Sequence, residues 1–113
     1  LLRKARIWGR YIHFAFDHVG LEQQVREGVA ILKDADISPR DCMFYILIGY
    51  NSTPADDLYR VEVLRDIGAK PFAMPYNRSD PYQRDFARWV NHKAIFYTVP
   101  WSEYKRRSRE TAC

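Results

Sequence analysis

The sequence predicts an α/β fold built from three βα units, and three observations predict it. Short apolar segments alternate with amphipathic ones in the order βαβαβα. The central apolar run, Met43-Phe-Tyr-Ile-Leu-Ile48, carries no polar alternation. Residues with a physical reason to start or stop a helix (Gly20, Pro39, Pro54, Gly68, Pro81) fall between the segments. Such alternation implies a parallel sheet with right-handed crossovers, flanked by helices.

The first unit opens with Tyr11-Ile-His-Phe-Ala-Phe-Asp17, a β-branched and aromatic strand ending at the polar step Asp17-His18. Leu21, Val25, Val29 and Leu32 then recur at helical spacing, a helix of about four turns. Asp36-Ile-Ser-Pro39 ends it, because proline cannot continue the ladder.

In the second unit, Met43–Ile48 reads as a strand buried on both faces. Gly49-Tyr-Asn-Ser-Thr-Pro54 is a loop by composition. Thr53 is placed to cap a helix, with Pro54 at its first position. Asp56 and Asp57 fall in the first turn, where negative charge suits the helix dipole. Leu58, Val61, Leu64 and Ile67 face inward, and Gly68 stops the helix.

The third unit repeats the pattern. Pro71-Phe-Ala-Met-Pro-Tyr76 is a short strand and Asn77-Arg-Ser-Asp80 a polar loop. From Pro81, Tyr82, Phe86, Trp89, Val90, Lys93 and Phe96 lie near helical spacing. Phe86 and Trp89 read as core. Trp101 and Tyr104 follow the last unit and fit either a cover for an open edge or a dimer contact.

Length and composition bound the rest. At 113 residues the chain is one α/β domain, 1–113, with its ordered core from about 11 to 104. Hydrophobic residues make up 47%, which excludes intrinsic disorder. The net charge of +4 comes largely from Arg3, Lys4, Arg6 and Arg10 at one end and Lys105, Arg106, Arg107 and Arg109 at the other. These read as solvated tails more readily than as a nucleic-acid surface, because no continuous basic stripe joins them. Cys42 and Cys113 stand too far apart for a metal motif or a disulfide framework, which fits a cytoplasmic, reducing setting. No apolar stretch reaches membrane-spanning length. The first residue is leucine, so trimming, a cloned fragment or missing upstream sequence is the expectation.

Three strands leave two unpaired edges, and a face of the sheet stays bare. Natural proteins cover such edges, so a homodimer or a missing N-terminal half is the expected partner. In βα folds, binding and catalytic groups gather where strands run out into the loops before the helices. Here those places are Asp17-His18, Gly49 to Thr53, and Asn77-Arg78-Ser79.

Phe14 to Gly20, Phe44-Tyr-Ile-Leu-Ile-Gly-Tyr-Asn51, Pro71-Phe-Ala-Met-Pro-Tyr-Asn-Arg78 and Arg88-Trp-Val-Asn-His-Lys93 together resemble the last three βα units of a radical S-adenosylmethionine (SAM) protein. The resemblance implies that this chain is the C-terminal part of such an enzyme, lining the adenosine side of the SAM site. In the intact enzyme a 4Fe-4S cluster would reduce SAM to a 5′-deoxyadenosyl radical. The resemblance puts Asp17 near the SAM ribose, where a carboxylate can accept two hydroxyl hydrogen bonds. It places Leu47 and Gly49 at the fifth strand's adenine contacts, with Asn51 just beyond. Ser52 stands where a glutamate is usual. Met74 and Tyr76 fall at the sixth strand's approach to adenine, followed by Asn77 and Arg78. The CxxxCxxC motif that holds the cluster is absent. No metal site, cluster or radical chemistry is therefore expected of this chain alone.

Simpler roles stand beside these. Asp17 also fits an ordinary turn, Gly49 a turn glycine, and Asn77-Arg78 a solvated loop capped through Asp80. His18 and His92 read as surface residues and His13 as a packed one. A reading of a different class makes the chain a stand-alone, non-catalytic half-barrel module. It would dimerise through its sheet edges and hold a nucleotide-like ligand.

Overall fold

The computed structural model describes residues 6–8 and 11–105. Arg3, Lys4, Arg10, Arg106, Arg107, Arg109 and Cys113 lie outside the described residues. The chain forms one four-stranded sheet with strands in sequence order. They are β1 (Arg6–Trp8), β2 (Tyr11–Ala15), β3 (Cys42–Ile48) and β4 (Lys70–Pro75). Strands β2, β3 and β4 are parallel, with Phe14 beside Phe44 and Leu47 beside Met74. The helices α1 (Glu22–Asp34), α2 (Pro54–Asp66), α3 (Pro81–Asn91) and α4 (Lys93–Thr98) follow the parallel strands in turn. This is the α/β alternation the sequence predicts.

The helices cover one face of the sheet, and this corrects the expectation that β3 is buried on both. Cys42, Phe44, Ile46 and Ile48 are buried, while Met43, Tyr45 and Leu47 between them are only half-buried. In β4, Pro71 and Ala73 are buried, whereas Phe72 and Met74 stay 36% and 38% exposed. The cause is the strand order. Crossovers of one hand that step always in the same direction put every helix on the same side. Against the covered face Val25, Val29 and Leu32 of α1, Val61 and Leu64 of α2, and Phe86, Trp89 and Val90 of α3 complete the core. Burial of the two full aromatic side chains Phe86 and Trp89 is worth roughly 1.5–3 kcal/mol or more each.

Helix ends follow the residues that the sequence marked. Thr53 Oγ1 accepts from the Asp56 N–H at 3.1 Å, and the Asp56 carboxylate returns a bond to the Thr53 N–H at 3.4 Å. This capping box, with Pro54 at the first position, fixes where α2 begins. Gly68 ends that region with φ 81°. Two details differ from expectation. Leu21 is exposed, because a 3-10 turn over Val19–Leu21 precedes α1. The third helix breaks at His92, whose extended backbone separates α3 from α4.

The outermost strands of the open sheet are β1 and β4. On one side β1 pairs antiparallel with β2, Arg6 beside His13 and Trp8 beside Tyr11. On the other, the Asn91 carboxamide binds both main-chain groups of Ala73. It accepts the Ala73 N–H at 2.8 Å and donates to the Ala73 carbonyl at 3.0 Å. Residues 71, 73 and 75 share this outward direction, since groups alternate along a strand. Pro71 and Pro75 have no N–H to offer, and Lys93 Nζ donates to the Pro71 carbonyl. An edge without free donors resists strand pairing. The open sheet keeps two edge strands, β1 and β4; the difference from expectation is that β1 and not β2 is one of them, and that β4 presents no free outward N–H.

Trp101 packs against neither edge. Its ring meets Phe86 at 5.0 Å and Trp89 at 5.5 Å, with Tyr104 stacked behind it at 6.0 Å. The pair covers α3. Trp89 is anchored in turn by its indole N–H, which donates to the Val99 carbonyl at 2.7 Å.

Candidate ligand-binding rim

Strands β2, β3 and β4 end at Ala15, Ile48 and Pro75. The loops that follow bring most of the predicted residues to one rim. Asp17 and His18 are exposed after β2. The His18 imidazole is used locally, since its Nδ1 accepts the Gly20 N–H at 2.9 Å. His92 is exposed, in line with a surface role. Leu47 and Met74 are register partners on the uncovered face. Gly49 and Asn51 both hold left-handed backbone, φ 81° and 50°, which glycine and asparagine tolerate best. Tyr76 sits just past β4, its N–H donating to the Ile48 carbonyl at 3.0 Å. Its ring lies 4.7 Å from that of Tyr50. The two rings remain 62% and 54% exposed.

One side chain joins the two loops. Gln83, in the first turn of α3, is only 8% exposed. Its Oε1 accepts the Asn77 N–H at 2.7 Å, so the donor itself fixes which carboxamide atom is oxygen. The carboxamide lies flat on Gly49, where a Cβ would stand 2.0 Å from Cδ and 2.2 Å from Nε2. Gly49 is therefore required by packing as well as by its φ. Asn77 uses its own Oδ1 to accept the Ser79 N–H at 3.0 Å, and Asp80 caps α3 by accepting the Gln83 N–H at 3.1 Å. Arg78 is exposed beside them. The rim thus unites Gly49, Tyr50, Tyr76 and Asn77. Among the described residues, no hydrogen bond ties Asp17 or Arg78 to this group.

Behind the rim lies a buried polar network. Asp57 and Arg60 are both fully buried, and their ion pair spans 2.7 Å. The guanidinium also donates to the Phe16 carbonyl and to the Leu47 carbonyl, each at 2.9 Å. Ser52 Oγ and Tyr82 Oη donate to the Asp57 carboxylate at 2.7 and 2.8 Å. Burial first, and the bond to Asp57 second, push the Tyr82 phenol far above its usual pKa. Asp57 stands in the first turn of α2, as the sequence predicts, and is in addition a buried hub, which the sequence does not show. An Asp and an Arg three residues apart on a helix read as a surface pair, so nothing in the sequence separates them from one.

The uncovered face sets Leu47, Phe72 and Met74 beside the polar residues His13, Tyr45 and Lys70. His13 Nδ1 and Tyr45 Oη are 2.6 Å apart, and the Tyr45 ring meets Phe72 edge-on at 5.7 Å. His13 Nε2 is buried without a hydrogen-bond partner. His13 is therefore packed, as its place among aromatics suggested. At the opposite end of the sheet, Lys93 donates to the Pro71 and Val90 carbonyls. Burial, aided by Lys70 nearby, lowers its pKa to about 8.

Cys42 begins β3, at the end remote from the rim, and it is fully buried. Burial, with Asp41 adding to it, pushes its thiol up, the opposite of what a thiolate ligand needs. Among the described residues no group of three or more His, Cys, Asp or Glu is arranged to hold a metal ion. The residues therefore do not fit an iron–sulfur cluster. No described helix is long and apolar enough to cross a membrane. No protein-family model, curated protein or solved structure matches the chain.

Proposed function

We propose that this chain is the C-terminal portion of a radical SAM-like enzyme and that its rim lines the adenosine side of the SAM site. One observation carries the proposal. The ends of β3 and β4 are locked together through Gly49, Gln83 and Asn77, and exposed Tyr50 and Tyr76 stand on that locked frame. Leu47 and Met74 form an apolar floor below. Rigid aromatic rings with an apolar floor suit a flat base. Asp17, exposed at the end of the neighbouring β2, is free of the sheet's hydrogen bonding and suits ribose hydroxyls. No cluster-dependent step is assigned to these residues, since they lack the ligands; the portion on its own is inactive.

The alternative, a stand-alone module that dimerises through its sheet edges, is less favoured at the β4 edge. Asn91, Lys93 and two prolines leave β4 no outward N–H for a partner strand.

Isothermal titration of SAM and of adenosine into the protein and into Asp17→Ala tests the proposal. Both ligands should bind the wild type. Asp17→Ala should weaken them by about tenfold or more, the scale of a hydrogen bond to a charged group. Absence of binding by either ligand at millimolar concentration would contradict it.

A further inference from the structure

We infer that Arg60 is a positioning residue for the bound nucleoside, holding Asp17 at a fixed separation from the end of β3 at Leu47 and Gly49. The inference rests on the adenosine-side proposal and goes beyond it, because the resemblance assigns nothing to Arg60.

Asp17 and Leu47 belong to different strand ends, and the ladder between those strands runs out before it reaches them. The register of β2 with β3 stops at Ala15 and Tyr45, and the Phe16 N–H adds one bond to the Tyr45 carbonyl at 3.0 Å. Beyond that rung the guanidinium takes over. Its Nη1 donates to the Phe16 carbonyl and its Nη2 to the Leu47 carbonyl, each at 2.9 Å. The Phe16 carbonyl and the Asp17 N–H share one planar peptide, so fixing the first fixes the second. The Leu47 carbonyl shares a plane with the Ile48 N–H in the same way. The next carbonyl, that of Ile48, accepts the Tyr76 N–H at 3.0 Å. A planar guanidinium cannot vary the spacing of its own donors, so it sets the two strand ends at one distance. The fork is held from behind. Asp57 Oδ1 accepts from Arg60 Nη2 and from Ser52 Oγ, both at 2.7 Å, and Oδ2 accepts from Tyr82 Oη at 2.8 Å. Arg60 is 1% exposed, so it acts through the backbone and not by touching a ligand. A nucleoside's ribose and base are covalently joined, so a site gains from both only when its two halves already stand at the matching separation.

Isothermal titration of adenine and of adenosine into the full chain tests the inference. In wild type, adenosine should bind about tenfold tighter than adenine, the scale of a hydrogen bond to a charged group. The double variant Asp57→Leu, Arg60→Met leaves no buried ion, and its fold is checked by circular dichroism. It should bind adenine within about twofold of wild type while the advantage of adenosine shrinks to about twofold or less. Arg60→Lys keeps the charge beside Asp57 without the fork and should show the same selective loss. Leu32→Ala is the control: it truncates a core residue near the C-terminal end of α1 and should destabilise the protein yet keep the tenfold ratio of wild type, to within about twofold. If the folded Arg60 variants keep the ratio, the inference is overturned while the adenosine-side proposal stands. If they weaken both ligands equally, or if Leu32→Ala lowers the ratio as well, Arg60 serves stability alone and the inference is again overturned. Adenosine binding no tighter than adenine in wild type overturns it too. If neither ligand binds wild type, the adenosine-side proposal falls and the inference with it.

Discussion

Arg60 and Asp57 form a buried ion pair at 2.7 Å that also joins two strands, because the same guanidinium donates to the carbonyls of Phe16 and Leu47. The Phe16 N–H still bonds the Tyr45 carbonyl, so the ladder between β2 and β3 holds up to that rung. Arg60 then takes the carbonyls at the strand ends. The site of the rim is therefore set by a helix side chain as much as by the sheet.

Removing one partner of this pair strands a buried charge. Asp57→Ala should cost about 3–5 kcal/mol in urea unfolding. The double variant Asp57→Leu, Arg60→Met should cost less than Asp57→Ala alone, since it leaves no uncompensated ion. A loss below about 1 kcal/mol for Asp57→Ala would show that the pair is not buried in solution.

Gly49 and Gly68 share φ 81° but differ in surroundings. A Cβ at Gly49 would meet Gln83 at 2.0 Å, whereas one at Gly68 would find its nearest neighbour, Pro39, at 3.7 Å. Gly68→Ala should cost about 1–2 kcal/mol for the backbone alone. Gly49→Ala adds overpacking and should cost about 2–5 kcal/mol. Equal losses in thermal unfolding would remove the proposed clamp.

The β4 edge depends on Asn91. Asn91→Ala would free the Ala73 N–H and carbonyl, which point outward. Size-exclusion chromatography should then show self-association that grows with concentration and is weaker in wild type. Unchanged elution together with unchanged stability would mean that the carboxamide does not guard the edge.

Lys93 gives the protein a signature in alkali. Its folded pKa is lowered to about 8 from 10.5, so the folded state resists its charge. Above pH 8 the unfolded chain binds more protons than the folded one, and stability rises with pH. The rise should be visible from pH 8 to about 9.5, between the folded and unfolded pKa values of this amine. Lys93→Met should flatten it. A wild-type stability that falls across this window would contradict the burial of the amine.

Much of this architecture is legible in the sequence because it rests on periodicity and punctuation. The apolar runs at β2, β3 and β4 and the breaks at Pro54, Gly68 and Pro81 appear where the composition puts them. The parts that are not legible depend on contacts distant in sequence. Three residues, Arg6–Trp8, carry too little pattern to announce a strand. Asn91 resembles any polar helical residue until Ala73 lies opposite it. The polar residues of the rim loops stand out in the sequence, yet Gln83, which joins two of those loops, lies within a helix and does not. Asp57 and Arg60 were hidden for the same reason: burial is decided by the fold and not by their spacing.

The most direct test of the account is an amide nuclear magnetic resonance titration of the ¹⁵N-labelled protein with adenosine. The account predicts shifts concentrated at Asp17, Gly49, Tyr50, Tyr76 and Asn77 and in the Gln83 side-chain amide, with the α4 amides still. Shifts confined to other surfaces, or none at millimolar adenosine, would contradict a nucleoside site at this rim.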